Sequence, residues 1–203
     1  MKKEDALFQT EFFRRFSHKR CFFLLAATLV CGVFGGSAAA VCWELFRGKQ
    51  AFPLFFSGIP VPESGFLACF STVLLNTLIG LIILFLLGVT AFGALGVPFF
   101  LLCKGGALGI GVLYFMASGS FDQVLYCALG YTPAAAVSTL LLLLFAVRSL
   151  AFSNSLAKAG FSSRQESLDF QVYFKDFLTF LCFSVVAALA GGLLAVLCGA
   201  ILK

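Results

Sequence analysis

Lys104 is the one charged side chain in a long apolar stretch of this sequence, Ser64 to Phe121. A charged group inside a membrane span is costly, and by default it marks a functional site. If the span that carries it begins at Pro98, Lys104 lies about six residues, or about 9 Å, from the membrane surface. A lysine at that depth can extend its amine to the interface, which is called snorkelling. We therefore predict that Lys104 snorkels and does not form a buried charged site.

Asn76 is the second polar side chain of interest, because it lies in the span before Lys104. The two spans are expected to fold about a turn centred near Ala94. This register places Lys104 beside Phe85, and no acidic residue faces it. It places Asn76 near Leu113, where we predict a structural hydrogen bond between helices rather than a substrate contact.

Motifs of nucleophilic, metal-dependent and phosphate-binding enzymes do not occur in the sequence. It has no H-E-x-x-H zinc motif and no G-x-x-x-x-G-K-[ST] phosphate loop, and its single histidine, His18, lies in a basic N-terminal flank. The eight cysteines form no C-x-x-C pair and lie in or beside apolar runs, so we interpret them as small packing residues. We predict a protein that is not an enzyme and that binds no cofactor and no metal.

The composition of the chain requires a membrane environment. Of its 203 residues, 61% are hydrophobic and 11% are charged, and the mean hydropathy is +1.05. Soluble domains typically contain about 25% charged residues. We predict an all-α, polytopic integral membrane protein with five transmembrane helices, two of which form a central helical hairpin.

Five runs of the sequence reach the length of about 20 apolar residues that a transmembrane helix needs. Residues 21–203 are predicted to form a single membrane domain, and residues 1–20 a cytoplasmic, basic, amphipathic segment. The hairpin turn is predicted in the small residues before Pro98, which suits the first position of a helix. Residues 148–176 are predicted to form a polar linker. The predicted spans are residues 21–46, 66–90, 98–117, 123–147 and 177–202.

Lysine and arginine residues are concentrated on one side of the predicted membrane. Six precede the first span, two lie in the loop after it, and four lie in the last linker. By the positive-inside rule, the N-terminus and that linker are cytoplasmic and the C-terminus lies outside the cell membrane. This orientation is the same whether the central hairpin spans the membrane or is re-entrant. Because the rule also explains the net charge of +5, we expect the basic residues to face the lipid bilayer and not nucleic acid.

Small residues recur at four-residue spacing in several spans, as Gly105 and Gly109 do. Such faces let helices pack closely, within one chain or between the copies of an oligomer. In the fourth span, Pro133 would free a backbone carbonyl and kink the helix, which occurs in transport sites as well as in ordinary packing. The residues expected to pack between helices or to contact a partner are Asn76, Gly88, Gly93, Gly96, Pro98, Lys104, Gly105, Gly109 and Pro133.

The order of residues in the central region carries a family resemblance. Asn76 stands early in a span, and it is followed by the runs IILFLLGVTAFGALGVPFFLL and KGGALGIGVLYF. The proline-broken run YTPAAAVSTLLLLLFAVRSLAFSNSL comes next. Over roughly Phe66 to Leu156, in its length near 200 residues and in its five spans, the chain resembles the stage II sporulation protein M family.

This resemblance implies a membrane component of the engulfment machinery of endospore-forming bacteria. It implies, as partners, the peptidoglycan-degrading stage II sporulation proteins D and P, which such a component holds at the septal membrane. The resemblance assigns no residue of this chain to a partner contact.

Three functions remain open from the sequence. The first is a non-catalytic membrane scaffold of the kind that the resemblance implies. The second is a small transporter or channel subunit, with a path lined by the third span and by the break at Pro133. The third is a lipid-handling or assembly subunit that depends on a soluble ATPase docked on residues 148–176.

Overall fold

Five long helices form most of the described chain in the computed structural model. The structure describes residues 19–42, 66–90, 92–117, 121–161 and 170–201. Within these ranges, five helical stretches are long and apolar enough to cross a membrane, and no strand occurs. The predicted all-α, polytopic membrane fold is therefore confirmed.

The helices are α1 (Lys19–Cys42), α2 (Phe66–Val89), α3 (Gly93–Ala117), α4 (Phe121–Tyr126), α5 (Thr132–Phe161) and α6 (Phe170–Ile201). A five-residue π-helical segment, Cys127–Tyr131, joins α4 to α5. At about 1.5 Å per residue, α2 and α3 are each about 36 Å long, enough to cross the membrane completely. The predicted segment at residues 1–20 falls outside the described residues except for its last two, and the first loop falls outside them entirely.

The turn of the central hairpin lies earlier in the chain than predicted. α3 begins at Gly93, so Pro98 lies inside the helix and not at its first position. The Gly93 amide donates a 3.2 Å hydrogen bond to the Thr90 carbonyl, which closes the turn. The prediction was wrong because membrane helices tolerate an internal proline when neighbouring groups and small backbone adjustments compensate for its missing amide.

The polar linker predicted at residues 148–176 is largely helical. α5 continues to Phe161 and α6 begins at Phe170, so Arg148 and Lys158 lie within α5, and Lys175 and Asp176 lie within α6. Arg148 Nε lies 3.8 Å from Asp176 Oδ2, and both side chains are partly buried. Opposite charges on the two helices face each other there, which makes continued helical structure compatible with these polar residues.

The two helices of the hairpin pack mainly against other helices and not against each other. α2 packs on α5 and α6, whereas α3 packs chiefly on α1. α5 runs parallel to α2, because Leu142 lies against Gly80 and, farther along both helices, Ser153 reaches Thr90. α2 and α3 therefore diverge from their turn into different parts of the bundle.

α1 and α3 are parallel neighbours whose backbones approach closely. Gly105 of α3 faces Gly32 of α1, and one turn later Gly109 faces Ser37. A Cβ atom at Gly105 would lie 3.2 Å from Gly32 Cα, and one at Gly109 would lie 2.9 Å from Ser37 Oγ. Because glycine has no side chain, these positions permit the small-residue packing that is common between membrane helices.

Serine hydroxyls of α5 bind backbone carbonyls near the end of α2. Ser149 Oγ donates a 2.6 Å hydrogen bond to the Leu84 carbonyl, and Ser153 Oγ donates a 2.7 Å bond to the Thr90 carbonyl. A Cβ atom at Gly93 would lie 2.6 Å from Ser153 Oγ, so a glycine is needed beside that serine. A backbone carbonyl has two lone pairs, so it can accept these bonds in addition to those of its own helix.

Tyr173 of α6 makes a third contact of this kind. Its hydroxyl donates a 3.2 Å hydrogen bond to the Phe85 carbonyl, and a Cβ atom at Gly88 would lie 2.9 Å from its Cζ atom. Its ring stacks on Phe85 and Phe152, with centroid distances of 5.2 and 4.4 Å. We call Ser149, Ser153 and Tyr173 the hydroxyl seam, since together they join α2 to α5 and α6.

Gly36→Ala is expected to lower the free energy of unfolding by about 1–3 kcal/mol, as overpacking does. A Cβ atom at Gly36 would lie only 2.5 Å from Gly106 Cα, so α1 and α3 would have to separate. Gly35→Ala is the matched control, because a Cβ atom there meets nothing within 4 Å. The free energy of unfolding of both variants is measured in mixed detergent micelles. An equal loss in Gly36→Ala and Gly35→Ala would contradict the close contact between α1 and α3.

Ser149→Ala is expected to lower the free energy of unfolding by about 1 kcal/mol, since an interhelical hydrogen bond inside the bundle is lost. Ser155→Ala serves as the control, because Ser155 Oγ donates only to the Ala151 carbonyl of its own helix. The same micelle assay compares the two. A loss no larger in Ser149→Ala than in Ser155→Ala would show that the hydroxyl seam does not stabilise the fold.

Candidate functional site

Lys104 is buried inside the helical bundle. It is the twelfth residue of α3, about 16 Å from the start of that helix, and its side chain is 7% exposed. Its Nζ atom donates a 2.6 Å hydrogen bond to Asn76 Oδ1 on α2. The charged end of Lys104 thus points into the protein and connects the two helices of the hairpin.

The predicted snorkelling of Lys104 and the predicted hairpin register are both wrong. Both errors have one cause, which is that α3 begins at Gly93 and not at Pro98. The five extra residues place Lys104 about 8 Å deeper than predicted. Moving the turn toward Thr90 also brings Lys104 level with Asn76, whereas a turn near Ala94 would have separated them.

A small cavity lies beside the Lys104 amine, where α2, α3, α5, α6 and the π-helical segment meet. Its volume is about 20 Å³, and a single water molecule needs about 10–15 Å³. We call it the Lys104 cavity. It is lined by Val73, Asn76, Thr77, Lys104, Leu108, Gly130, Tyr131, Ala134, Ala135, Ser138, Thr139, Leu142 and Gly191.

The hydroxyl groups around the Lys104 cavity differ in what they bind. Thr77 Oγ1 donates a 2.8 Å hydrogen bond to the Val73 carbonyl, and Thr139 Oγ1 donates a 2.6 Å bond to the Ala135 carbonyl. Ser138 Oγ is buried and has no hydrogen-bond partner among the described residues. Buried hydroxyls nearly always have a partner, so Ser138 Oγ differs in this respect from Thr77 and Thr139 in the same lining.

The π-helical segment forms one wall of the Lys104 cavity through Tyr131, which is 3% exposed. Thr132 Oγ1 donates a 2.8 Å hydrogen bond to the Cys127 carbonyl, five residues earlier, which stabilises the wide turn. The exposed Pro133 follows directly. The break that was predicted at Pro133 therefore takes the form of a π bulge, a feature frequent at functional sites.

Most of the other residues predicted as site candidates lie away from the Lys104 cavity. Gly88 and Gly93 contact the hydroxyl seam, and Gly96 faces Leu87. Pro98 is half-buried in α3. The remaining two candidates, Gly105 and Gly109, face α1. Of the nine candidates, the structure brings only Asn76 and Lys104 together at the cavity.

Sequence reasoning missed Tyr131 and Ser138 as cavity residues. They are seven positions apart, about two helical turns, so they lie on one face of a helix. Two polar residues at that spacing, on either side of Pro133, could have indicated a shared polar face in the fourth span. What the sequence could not show is that this face turns toward Lys104.

The lining of the Lys104 cavity combines one lysine amine with amide and hydroxyl groups. None of the lining groups is a carboxylate, a histidine or a cysteine. No cluster of three histidine, cysteine, aspartate or glutamate side chains that could hold a metal ion occurs in the part of the chain that is described. Lysine, amide and hydroxyl groups instead provide hydrogen-bond donors.

Comparison with protein-family models, with curated proteins and with solved structures gives no match to this chain.

Asn76→Ala is expected to destabilise the fold by about 1–3 kcal/mol, because it removes a hydrogen bond to a buried, charged amine. Asn154→Ala is the matched control, since Asn154 is exposed on α5. A double-mutant cycle with Lys104→Met, measured by unfolding in mixed micelles, isolates the pair. A coupling free energy near zero would mean that the bond to Lys104 does not stabilise the protein.

Proposed function

We propose that this protein is a non-catalytic membrane scaffold that recruits or localises peptidoglycan hydrolases at the septal membrane during engulfment in endospore formation. The resemblance of residues 66–156 to the stage II sporulation protein M family is the reason for proposing engulfment as the biological process. The structural observation that supports a scaffold is the Lys104–Asn76 bond, which ties the intramembrane charge into the helix packing.

The packing of the bundle suits a scaffold that holds its external parts in fixed positions. Glycine contacts fix α1 against α3, and the hydroxyl seam fixes α2 against α5 and α6. The space beside Lys104 has the size of a small ion or a water molecule. A bundle packed in this way has few alternative arrangements, because tightly packed interiors resist gradual deformation.

Partners and orientation follow from the same proposal. Peptidoglycan lies outside the cell membrane, and the positive-inside rule places the C-terminus and the first loop on that side. The partners are then the stage II sporulation proteins D and P, bound through external segments or through the apolar, lipid-facing sides of the helices. The N-terminus and residues 162–169 face the cytoplasm in this arrangement.

A small transporter or channel subunit is the second candidate function. The observation that favours it is the position of Lys104, Tyr131 and Ser138 around one intramembrane cavity beside a π bulge. Buried ionisable residues and broken helices at the middle of the membrane are common features of transport sites. In this case the Lys104 cavity would be the closed state of a substrate path.

Deletion of the gene in a spore-forming host is expected to stall the engulfing membranes and to reduce peptidoglycan hydrolysis at the septum. Fluorescence microscopy of septal membranes measures engulfment. Labelling of the new peptidoglycan ends that cleavage produces measures hydrolysis at the septum. Complete engulfment at the wild-type rate in the deletion strain would overturn the proposed scaffold function.

Complementation of the deletion strain distinguishes the two functions. Lys104→Met is expected to restore engulfment when it accumulates in the membrane at the wild-type level, because a scaffold needs the fold and not the charge. If the protein is instead a transporter, Lys104→Met should abolish ion or solute flux in reconstituted vesicles. Flux that depends on Lys104 would favour transport.

A further inference from the structure

We propose that an apolar groove between α1, α3 and α5 binds one acyl chain of a phospholipid from the outer leaflet of the membrane. The groove has a volume of about 370 Å³ and opens to the side of the bundle. We call it the acyl groove. This site goes beyond the scaffold function and does not depend on it, because a resident lipid can belong to the fold of a protein with any function.

Two separately packed parts of the bundle form the walls of the acyl groove. One wall is the pair of α1 and α3, which contributes Val33, Leu108 and Val112. The other wall consists of residues 131–143, from the end of the π-helical segment and the first half of α5. Among the described residues that line the groove, none is charged. The space therefore lies where the α1–α3 pair and α5 do not close on each other.

The polar residues of the lining do not make the acyl groove a water site. They are Tyr131, Thr132 and Thr139. Thr132 Oγ1 donates to the Cys127 carbonyl, and Thr139 Oγ1 donates to the Ala135 carbonyl, so both hydroxyls are bound to the backbone of their own segment. Ordered waters need two to four polar partners, which the aliphatic remainder of the lining does not offer. The groove is suited to an apolar ligand.

The acyl groove is continuous with the lipid-facing surface of the bundle. Every residue of its lining lies within one of the stretches that are long and apolar enough to cross a membrane. At the open side, Ala136 is exposed and Leu140 is 50% exposed. Atoms that line an empty space lose their dispersion contacts, so the groove is filled by what surrounds it. In the bilayer that is the acyl chain of a lipid.

The volume of the acyl groove distinguishes between apolar occupants. A methylene group takes up roughly the space of a water molecule, about 30 Å³, so the groove holds about a dozen methylene groups. This is most of one acyl chain. An α-helix with its side chains is about 10–12 Å wide, which is too wide for this space. A span of a partner protein or of a second copy of this chain therefore does not fit.

The depth of the acyl groove indicates which part of the lipid enters it. Residues 131–143 cover about 18 Å along the helix axis, close to half of a hydrocarbon core about 30 Å thick. By the positive-inside rule, the beginning of α5 lies on the outer side of the membrane. One chain of an outer-leaflet phospholipid thus lies along α5, with its head group at the outer surface and its second chain in the bilayer.

Native mass spectrometry of the full chain tests the proposal. The protein is reconstituted in nanodiscs of phosphatidylglycerol and phosphatidylethanolamine and then transferred to a mild detergent, which removes loosely associated lipid. One retained phospholipid per chain is expected, and added phosphatidylglycerol should not raise this number. A folded chain that retains no lipid, or that retains only detergent, a free fatty acid or a second copy of itself, would overturn the proposal.

Two pairs of variants assign the retained lipid to the acyl groove. Ala136→Phe places a ring in the groove and should lower the retained fraction by about tenfold, through the cost of overpacking. Val137→Phe is the matched control, because Val137 is 48% exposed and does not line the groove. If Ala136→Phe does not fold, Val33→Phe blocks the opposite wall, with the exposed Val30→Phe as its control. Equal lipid retention in a blocked variant and its control would refute the site.

Discussion

The bilayer offers no water to polar groups, so every such group within the spans must be satisfied inside the protein. This constraint accounts for the main contacts of the bundle. Lys104 binds Asn76 across α2 and α3, and the hydroxyl seam binds carbonyls of α2. Among the described residues, the buried Ser138 hydroxyl is the exception to this pattern.

Hydrogen bonds between helices can form only where the backbones of the two helices approach each other closely. A serine hydroxyl is short, so it reaches a carbonyl on another helix only when no side chain stands between them. Gly88 and Gly93 provide this clearance for the hydroxyl seam. Glycine therefore does more in this bundle than allow van der Waals contact between helices, because it also makes the interhelical hydrogen bonds possible.

The sequence was sufficient to predict the number and approximate extent of the spans, because the length and apolarity of a run determine whether it can cross a membrane. It was not sufficient for the site. A proline at position 98 was compatible with both a helix start and a helix interior, and the choice decided whether Lys104 reached the surface. The positions of Tyr131 and Ser138 depend on a π bulge and on helix packing, which hydropathy does not encode.

The pairing of α1 with α3 has a consequence for the biogenesis of the protein. Gly36 meets Gly106, about seventy residues later in the chain. At a synthesis rate of about 5–20 residues per second, α1 spends several seconds in the membrane before its partner is made. During that interval its glycine face is exposed to lipid and to other insertion intermediates. The order in which helices leave the translocation machinery is thus not the order in which they pack.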